Sequence, residues 1–222
     1  MKSLLNGYTP EEIGDNHLYT STETPLRSDA FKKDDNLKIE LIEKHFEEIM
    51  HILGFDLNDD SLKGTPHRVA KMYVKEIFKG LNPKNRPKIK LFENKFNYDQ
   101  MLVEKDISFY SNCEHHFVPI VGKVHVGYIS NGYVIGLSKI HRIVNFYAKR
   151  PQVQERMTVQ IADELKKSLK TDDVAVVIDA AHLCVSSRGV EDTTSSTLTT
   201  QYHGKFKENQ VKEEFLNHIY QG

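Results

Sequence analysis

The apolar residues change their spacing at about residue 105, and this change constrains the fold more than any other feature of the sequence. Before that point they recur at steps of three and four, as on one face of an amphipathic helix. Beyond it they first alternate with polar residues, as in a half-buried strand, and helical spacing returns further along. Strands and helices that occupy separate stretches indicate an α+β fold with an antiparallel sheet.

Two helices are predicted in the first half of the chain. One begins at Leu37 and ends near Gly54. The other begins where Thr65 can cap the helix and Pro66 can occupy its first position, and it continues to Gly80. We therefore expect an N-terminal helical region.

The second half alternates between strands and helices. Asn131 and Gly132 predict a hairpin turn between a strand through Tyr128 and a strand over 133–135. The remaining predicted elements are a strand over 107–110, a helix capped by Ser138, a helix over 153–169, strands over 174–178 and 193–200, and a helix over 211–219.

These patterns divide the chain into three parts. Residues 1–36 are polar and without period, which predicts a flexible N-terminal arm or a segment ordered only by a neighbouring subunit. Residues 37–104 form the helical region, and residues 105–222 form the domain that contains the sheet.

The charge balance limits the classes of partner. The chain has 30 basic and 31 acidic residues and a net charge of −1, whereas nucleic-acid and membrane-surface binders are usually strongly basic. No apolar run approaches the roughly 18 residues of a membrane span, and the first residues do not resemble a secretory signal. We expect a soluble cytoplasmic protein without a nucleic-acid or membrane partner.

The densest group of chemically active side chains begins at Cys113 and includes His115 and His116. A cysteine and a histidine three residues apart on a turn can bind one zinc ion. If the strand that begins at residue 174 continues, His182 and the second cysteine, Cys184, point to one face of it. His182 is then a candidate for proton transfer and Cys184 a candidate ligand.

The number of ligands separates several interpretations. Two cysteines and one histidine leave the fourth position of a tetrahedral zinc ion open for a water molecule that the metal can activate. A structural zinc site would instead be completed by His115 or His182. The alternatives without metal are buried core histidines with inert cysteines, or a disulfide, which is typical of small secreted chains.

A basic stretch runs from Ser138 to Arg156. Lys139 and Arg142 lie on one helix face just after the expected cap, where a helix N-terminus and cations can bind a polyphosphate. A solvated basic face is the alternative. Further along, Gln154 and Glu155 could bind the donor edge of guanine, or Glu155 could simply be a favourable charge at a helix start.

Read together, these motifs resemble the zinc-dependent GTP cyclohydrolase I family. The matching segments are Thr65–Tyr73, Cys113–His116, Gly136–Lys139, Gln152–Arg156, and His182–Cys184 followed by Arg188 and Gly189. The likeness runs from about residue 37 to the C-terminus in matching order and spacing. A stretch of valine and serines, residues 185–187, stands where many members of the family have methionines.

The resemblance implies the tunnelling fold, with an antiparallel sheet, helices packed on one of its sides, and subunits that join their sheets in a homodecamer. It implies hydrolysis of GTP to formate and 7,8-dihydroneopterin triphosphate, the first step of tetrahydrofolate or tetrahydrobiopterin synthesis. Its cofactor is Zn²⁺, and no regulatory partner follows from the sequence.

The same resemblance implies a role for each matched residue. The zinc ligands would be Cys113, His116 and Cys184, and the catalytic group would be His115, His182, Ser138 and Gln154. The substrate contacts would be Glu155 at the guanine ring and Lys139, Arg142 and Arg188 at the ribose and triphosphate, with Lys71 contributed by another subunit.

Two other functions compete with this hypothesis. A nitrile reductase of queuosine synthesis has a related fold, but it uses a nucleophilic cysteine and does not need a Cys-and-His metal set. A zinc-stabilised module that only binds nucleotide would not need His115 and His182 beside three ligands.

Overall fold

The computed structural model describes residues 20–220; most of the expected N-terminal arm, residues 1–19, lies outside the described residues. The helices are α1 (Asp35–Ile52), α2 (Thr65–Met72), α3 (Leu137–Ala148), α4 (Gln154–Leu169), α5 (Leu183–Ser186) and α6 (Asn209–Tyr220). The strands are β1 (Leu91–Glu93), β2 (Met101–Cys113), β3 (Pro119–Ile129), β4 (Tyr133–Ile135), β5 (Pro151–Gln152), β6 (Val174–His182) and β7 (Thr197–Tyr202). A π-helical turn, Tyr73–Ile77, continues α2, and 3₁₀ turns span Lys79–Leu81, Pro83–Asn85 and Gly204–Lys207.

The main sheet has five strands in the order β5-β2-β3-β6-β7. β3 pairs antiparallel with both β2 and β6, and β6 pairs antiparallel with β7. Only the two-residue β5 runs parallel to its neighbour, β2. The predicted α+β class and the antiparallel sheet are therefore confirmed.

One face of the sheet carries the larger core. The predicted apolar positions of α4, namely Met157, Ile161, Leu165 and Leu169, are all 0% exposed. They pack with α3 against the inward side chains of the central strands, among them Val124 and Val126. The four-residue spacing of these positions thus identified a real core helix.

The expectation that helices cover only one side of the sheet is wrong. The side chains of Ala175 and Val177 point to the other face, where Phe206 and Phe215 cover them. The aromatic rings of these two residues lie edge to face, 5.6 Å apart. Because β6 is apolar on both faces, α6 and the 3₁₀ turn before it must exclude water from the second one.

The predicted hairpin is also wrong. β4 pairs with β1 instead, as a separate two-stranded sheet in which Leu91 faces Ile135. β3 has no free edge for β4 because β2 and β6 already occupy both of its sides. Gly132 still makes a turn with a φ of 83°, and its carbonyl accepts a hydrogen bond from the backbone of Asn94.

Neither predicted hydroxyl residue caps a helix. Thr65 is the first residue of α2 and Gly64 precedes it, while Ser138 is the second residue of α3 and Gly136 precedes it. Glycine is an acceptable residue before a helix, so both helices begin without a side-chain cap. The Ser138 hydroxyl is exposed as a result.

The described end of the N-terminal arm contacts α4 of its own chain. The Arg156 guanidinium donates to the Ser21 carbonyl at 2.7 Å, and the Gln160 amide donates to the Glu23 carboxylate at 2.8 Å. These contacts differ from the expected segment ordered only by a neighbouring subunit. They hold residues 21–23 against the first turns of α4.

α1 buries only part of its apolar stripe against α2. Met50 is buried, whereas Ile49 is 47% exposed and Leu53 is 67% exposed. The exposed half of the α1 stripe is therefore an apolar surface.

No helix within residues 20–220, α1 included, combines the length and the apolar character needed to cross a membrane.

We expect Leu165→Ala to lower the free energy of unfolding by about 2–5 kcal/mol, because it removes a fully buried side chain and leaves a cavity. Val159→Ala, on the exposed side of the same helix at 41% exposure, should change it by about 1 kcal/mol or less. Denaturant unfolding of both variants measures the difference. Equal losses would contradict the placement of α4 in the core.

Candidate metal centre and its surroundings

The metal-ligating residues come together because β2 and β6, on either side of β3, end at the same end of the sheet. β2 ends at Cys113 and β6 ends at His182, and both strands are paired with β3. Ile120 of β3 faces His182, and the neighbouring Pro119 faces the residue before Cys113. Positions about 70 residues apart in the sequence are thus brought to one end of the sheet.

The expected extension of the strand through Cys184 is wrong. β6 ends at His182, and Cys184 lies in the single helical turn of α5, where the Ser187 amide donates to the Leu183 carbonyl. His182 and Cys184 therefore do not share a strand face. The turn nevertheless places the Cys184 thiol beside Cys113.

Three donor atoms form a cluster that suits a metal ion. The sulfur atoms of Cys113 and Cys184 and a ring nitrogen of His116 all lie within 4.8 Å of one another. Ligands of a tetrahedral zinc ion at 2.0–2.3 Å are about 3.3–3.8 Å apart, so small side-chain movements close this site. Cys113 is buried, Cys184 is half-buried and His116 is exposed, which leaves the cluster accessible on one side.

The two cysteines are free thiols, which excludes the disulfide interpretation for this structure. Burial raises the pKa of the Cys184 thiol, and the neighbouring Cys113 raises it further. Two adjacent thiols resist forming two negative charges unless a cation compensates them. A divalent metal supplies that cation, so the donor set and its electrostatics both fit zinc.

The turn between Cys113 and His116 is held by its backbone. The Glu114 amide donates to the Gln152 carbonyl at 3.0 Å, and the Phe117 amide donates to the Cys113 carbonyl at 2.8 Å. Phe117 adopts a φ of 55°, a left-handed conformation that costs a non-glycine residue of order 1–3 kcal/mol. Surrounding contacts must compensate for this strain.

Aromatic packing supplies part of that compensation. The Phe117 ring lies edge to face with Phe78 at 5.1 Å and 6.5 Å from the ring of Tyr73. The π-helical turn after α2 therefore packs directly on the metal-binding turn. This contact could not be predicted from the sequence, because nothing in the pattern of neighbouring residues links aromatic residues about 40 positions apart.

His182 is held in one tautomer by Gln154. Its Nε2 lies 2.7 Å from the amide oxygen of Gln154 and donates to it. The Gln154 nitrogen cannot take that place, because it already lies within 3.1 Å of the carbonyls of Ile178 and Thr197 and of the Thr199 hydroxyl. The Nδ1 atom of His182 is therefore the unprotonated one in the neutral ring.

The environment of His182 favours that neutral ring. Burial lowers the pKa of its imidazole, and the carboxylate of Glu155 opposes this effect in part. Gln154 was expected from the sequence to bind the edge of guanine. It is only 1% exposed, so its side chain is not available for that contact. Glu155, by contrast, is exposed at the start of α4.

The other predicted residues near the cluster are His115 and Arg188. His115 is exposed, and its Nδ1 lies 3.8 Å from the sulfur of Cys113. Arg188 lies 3.0 Å from Nε2 of His116. Both side chains therefore border the open side of the cluster.

The residues expected at the triphosphate do not meet the metal cluster within one chain. His141 of α3 contacts Glu104 of β2 at 2.9 Å, and Glu104 precedes Cys113 by nine residues of the same strand. The end of α3 lies near the other end of this strand, where the Ser111 hydroxyl donates to the Arg150 carbonyl at 3.4 Å. The first turns of α3, which contain Ser138, Lys139 and Arg142, therefore lie toward Glu104 and away from Cys113.

Lys71 is also separate from the cluster. It is exposed on α2 and lines a groove with Asn36 and Glu43 of α1. The basic stretch likewise does not form one surface, because Arg156 is buried and bonded to Glu114. The charge count along the sequence could not distinguish this buried arginine from the exposed cations around it.

Comparison with known proteins gives a consistent result. A model of the family GTP cyclohydrolase I matches residues 42–220. The chain is 60% identical over 209 residues to GTP cyclohydrolase 1 of Flavobacterium johnsoniae, with 94% of each chain covered. It is 54% identical over 198 residues to GTP cyclohydrolase 1 of Salmonella gallinarum, with 89% of each covered, and 56% identical over 196 residues to that of Vibrio parahaemolyticus, covering 88% of this chain and 89% of the relative.

Among solved structures, the chain is similar to an archaeosine synthase QueF-Like in the apo form, which is 17% identical. The TM-score is 0.40, and the match covers 47% of this chain and 93% of the other. A likeness of this strength does not assign a fold.

We expect Cys184→Ser to lower the affinity for Zn²⁺, because a hydroxyl replaces one of the two thiolate ligands. Val185→Ala, at the exposed neighbouring position, is the matched control and should leave the affinity unchanged. Competition with a chromophoric chelator measures both. Equal affinity in Cys184→Ser and the unsubstituted protein would remove Cys184 from the ligand set.

Proposed function

The chain belongs to the GTP cyclohydrolase I family, and we propose that the cluster of Cys113, His116 and Cys184 holds the zinc ion of this enzyme. The activity is that of GTP cyclohydrolase I, a hydrolase whose substrate is GTP, and its proposed products are formate and 7,8-dihydroneopterin triphosphate. The observation that carries the metal assignment is the meeting of two thiols and an imidazole within 4.8 Å. A bound zinc ion would supply Lewis-acid activation of water.

His115 and His182 are the proposed proton-transfer groups. Gln154 holds the Nε2 proton of His182, so Nδ1 is the atom that can accept a proton from the reacting water or donate one to the opening ring. His115 lies beside Cys113 and can serve the second transfer. Gln154 is then a positioning residue for His182. This role replaces the contact with guanine that was expected from its place in the sequence.

The proposed substrate contacts are those that the family resemblance implies. The exposed carboxylate of Glu155 would accept hydrogen bonds from the donor edge of guanine, and Arg188 would contact the phosphate end of the substrate. Ser138, Lys139 and Arg142 would hold the ribose and triphosphate, and Lys71 would add a cation. These contacts keep GTP in place through successive steps, so positioning is a large part of the catalysis.

The site would be shared between subunits. The first turns of α3 lie beside Glu104 and not beside Cys113 of the same strand, which supports a second copy as the source of these contacts. Two features support an assembly, which the family resemblance makes a homodecamer with the tunnelling fold. β7 is an edge strand of the main sheet, and α1 has an exposed apolar stripe.

The biological setting follows from the same proposal. The reaction would take place in the cytoplasm as the first step of tetrahydrofolate or tetrahydrobiopterin synthesis. Residues 37–104 would form the helical region and residues 105–222 the catalytic domain, with residues 1–36 as the N-terminal arm.

The direct test is formate release from GTP by the zinc-loaded protein, with the oxidised product examined for pterin fluorescence. We expect both formate and a fluorescent pterin. His182→Ala should produce neither while it retains its zinc, because His182 transfers protons and does not bind the metal. Bound zinc and GTP without formate in the unsubstituted protein would instead indicate a module that only binds nucleotide.

Subunit sharing can be tested by complementation. We expect His182→Ala and the double variant Lys139→Ala/Arg142→Ala each to be inactive alone, since each lacks one half of every site. Co-expressed in equal amounts, they should recover about a quarter of the normal activity, because a quarter of the mixed interfaces contain two intact halves. No recovery in mixed oligomers would show that both halves belong to one chain.

A further inference from the structure

We propose that Arg156 is a positioning residue for the metal centre: its guanidinium binds Glu114 and thereby fixes the turn that carries the ligand His116. This inference rests on the proposed zinc site. Neither residue is a metal ligand or a proposed substrate contact. In the sequence, Arg156 is one cation of a basic stretch, and no role was expected for it or for Glu114.

The contact between the two side chains is bidentate. Arg156 NH1 donates to Glu114 Oε2 at 2.6 Å, and NH2 donates to Oε1 at 3.0 Å. The side chain of Arg156 is 3% exposed and that of Glu114 is 18% exposed. Solvent screening is therefore weak, and the planar fork of arginine fixes the carboxylate in orientation as well as in distance.

The position of Glu114 gives this contact its effect on the metal centre. Glu114 directly follows the ligand Cys113 and precedes the ligand His116 by two residues. Its amide donates to the Gln152 carbonyl, so the backbone and the side chain of this one residue are both held by neighbouring elements. The other end of the turn is strained at Phe117, and a strained turn keeps its shape only while such contacts persist.

The same guanidinium also reaches the N-terminal segment. Arg156 Nε donates to the Ser21 carbonyl at 2.7 Å, so each of the three guanidinium nitrogens donates a hydrogen bond. One turn further along α4, Gln160 donates to Glu23 at 2.8 Å. The metal-binding turn is thus connected through α4 to residues 21–23, far from it in the sequence.

A purely structural ion pair is the competing explanation, and the chain contains a matched control. Arg86 and Glu164 form a second partly buried pair, in which the Glu164 side chain is 8% exposed. Glu164 lies on the same helix as Arg156, eight residues or about 12 Å further along. Loss of that pair should affect stability alone.

The experiment compares Arg156→Lys, Glu114→Gln and the control Glu164→Gln in the full-length protein. We expect the first two to weaken Zn²⁺ binding by about 10- to 100-fold, as is usual when an outer-shell partner of a metal site is lost. Their Co²⁺-substituted forms should show altered ligand-field absorption, because lysine keeps the charge but cannot hold the carboxylate in a fork. Glu164→Gln should bind zinc as the unsubstituted protein does.

A double variant, Glu114→Gln/Arg156→Met, separates positioning from stability. Glu114→Gln leaves the buried charge of Arg156 without its partner, which destabilises the fold, whereas the double variant removes both charges. We expect its melting temperature to recover relative to the Glu114→Gln variant while its zinc affinity stays low. Recovery of zinc affinity together with stability would overturn the positioning role.

The remaining outcomes distinguish this inference from the proposed function. If the unsubstituted protein binds zinc and the Arg156 and Glu114 variants bind it equally well with the same Co²⁺ spectrum, only the positioning role is wrong. If the unsubstituted protein binds no zinc at Cys113, His116 and Cys184, the metal assignment fails and the positioning role fails with it.

Discussion

The pairing of β3 with β2 on one side and β6 on the other is the constraint on which the rest of the structure depends. It places the ends of β2 and β6 at the same end of the sheet, so that Cys113 and His182 lie on either side of β3 although about 70 residues separate them. It also removes both free edges of β3, which is why β4 pairs with β1. A shift of one residue in the ladder between β2 and β3 would turn the Cys113 side chain to the other face of the sheet.

The chemistry at this end of the sheet depends on groups that do not themselves react. Gln154 is fixed by carbonyl groups of the sheet and by a threonine hydroxyl, and it can therefore offer only its oxygen to His182. That single constraint sets the tautomer of the histidine. In the proposed proton transfer this contact would stay as it is while Nδ1 gains or loses a proton, which is the advantage of a preorganised site.

The site is divided between rigid and adaptable parts. The thiol of Cys113 is at the end of a strand in the core, whereas His116 and Arg188 are exposed and carried by turns. A metal ion would join these parts, since its ligands come from two strand ends. The first turns of α3, where the triphosphate contacts are proposed, lie toward Glu104 and away from Cys113, so the proposed site would need a second subunit.

The sequence by itself determined the fold class, the core helix α4 and the three residues of the candidate metal cluster. The spacing of apolar residues and the spacing of cysteine and histidine are local properties, and both can be read from the sequence. It also indicated the family through five short motifs in the right order. Only the tertiary structure decided that Arg156 is buried, that Gln154 faces His182, and that the start of α3 is remote from Cys113. These facts depend on strand pairing and burial between distant segments, which a pattern of neighbouring residues does not contain.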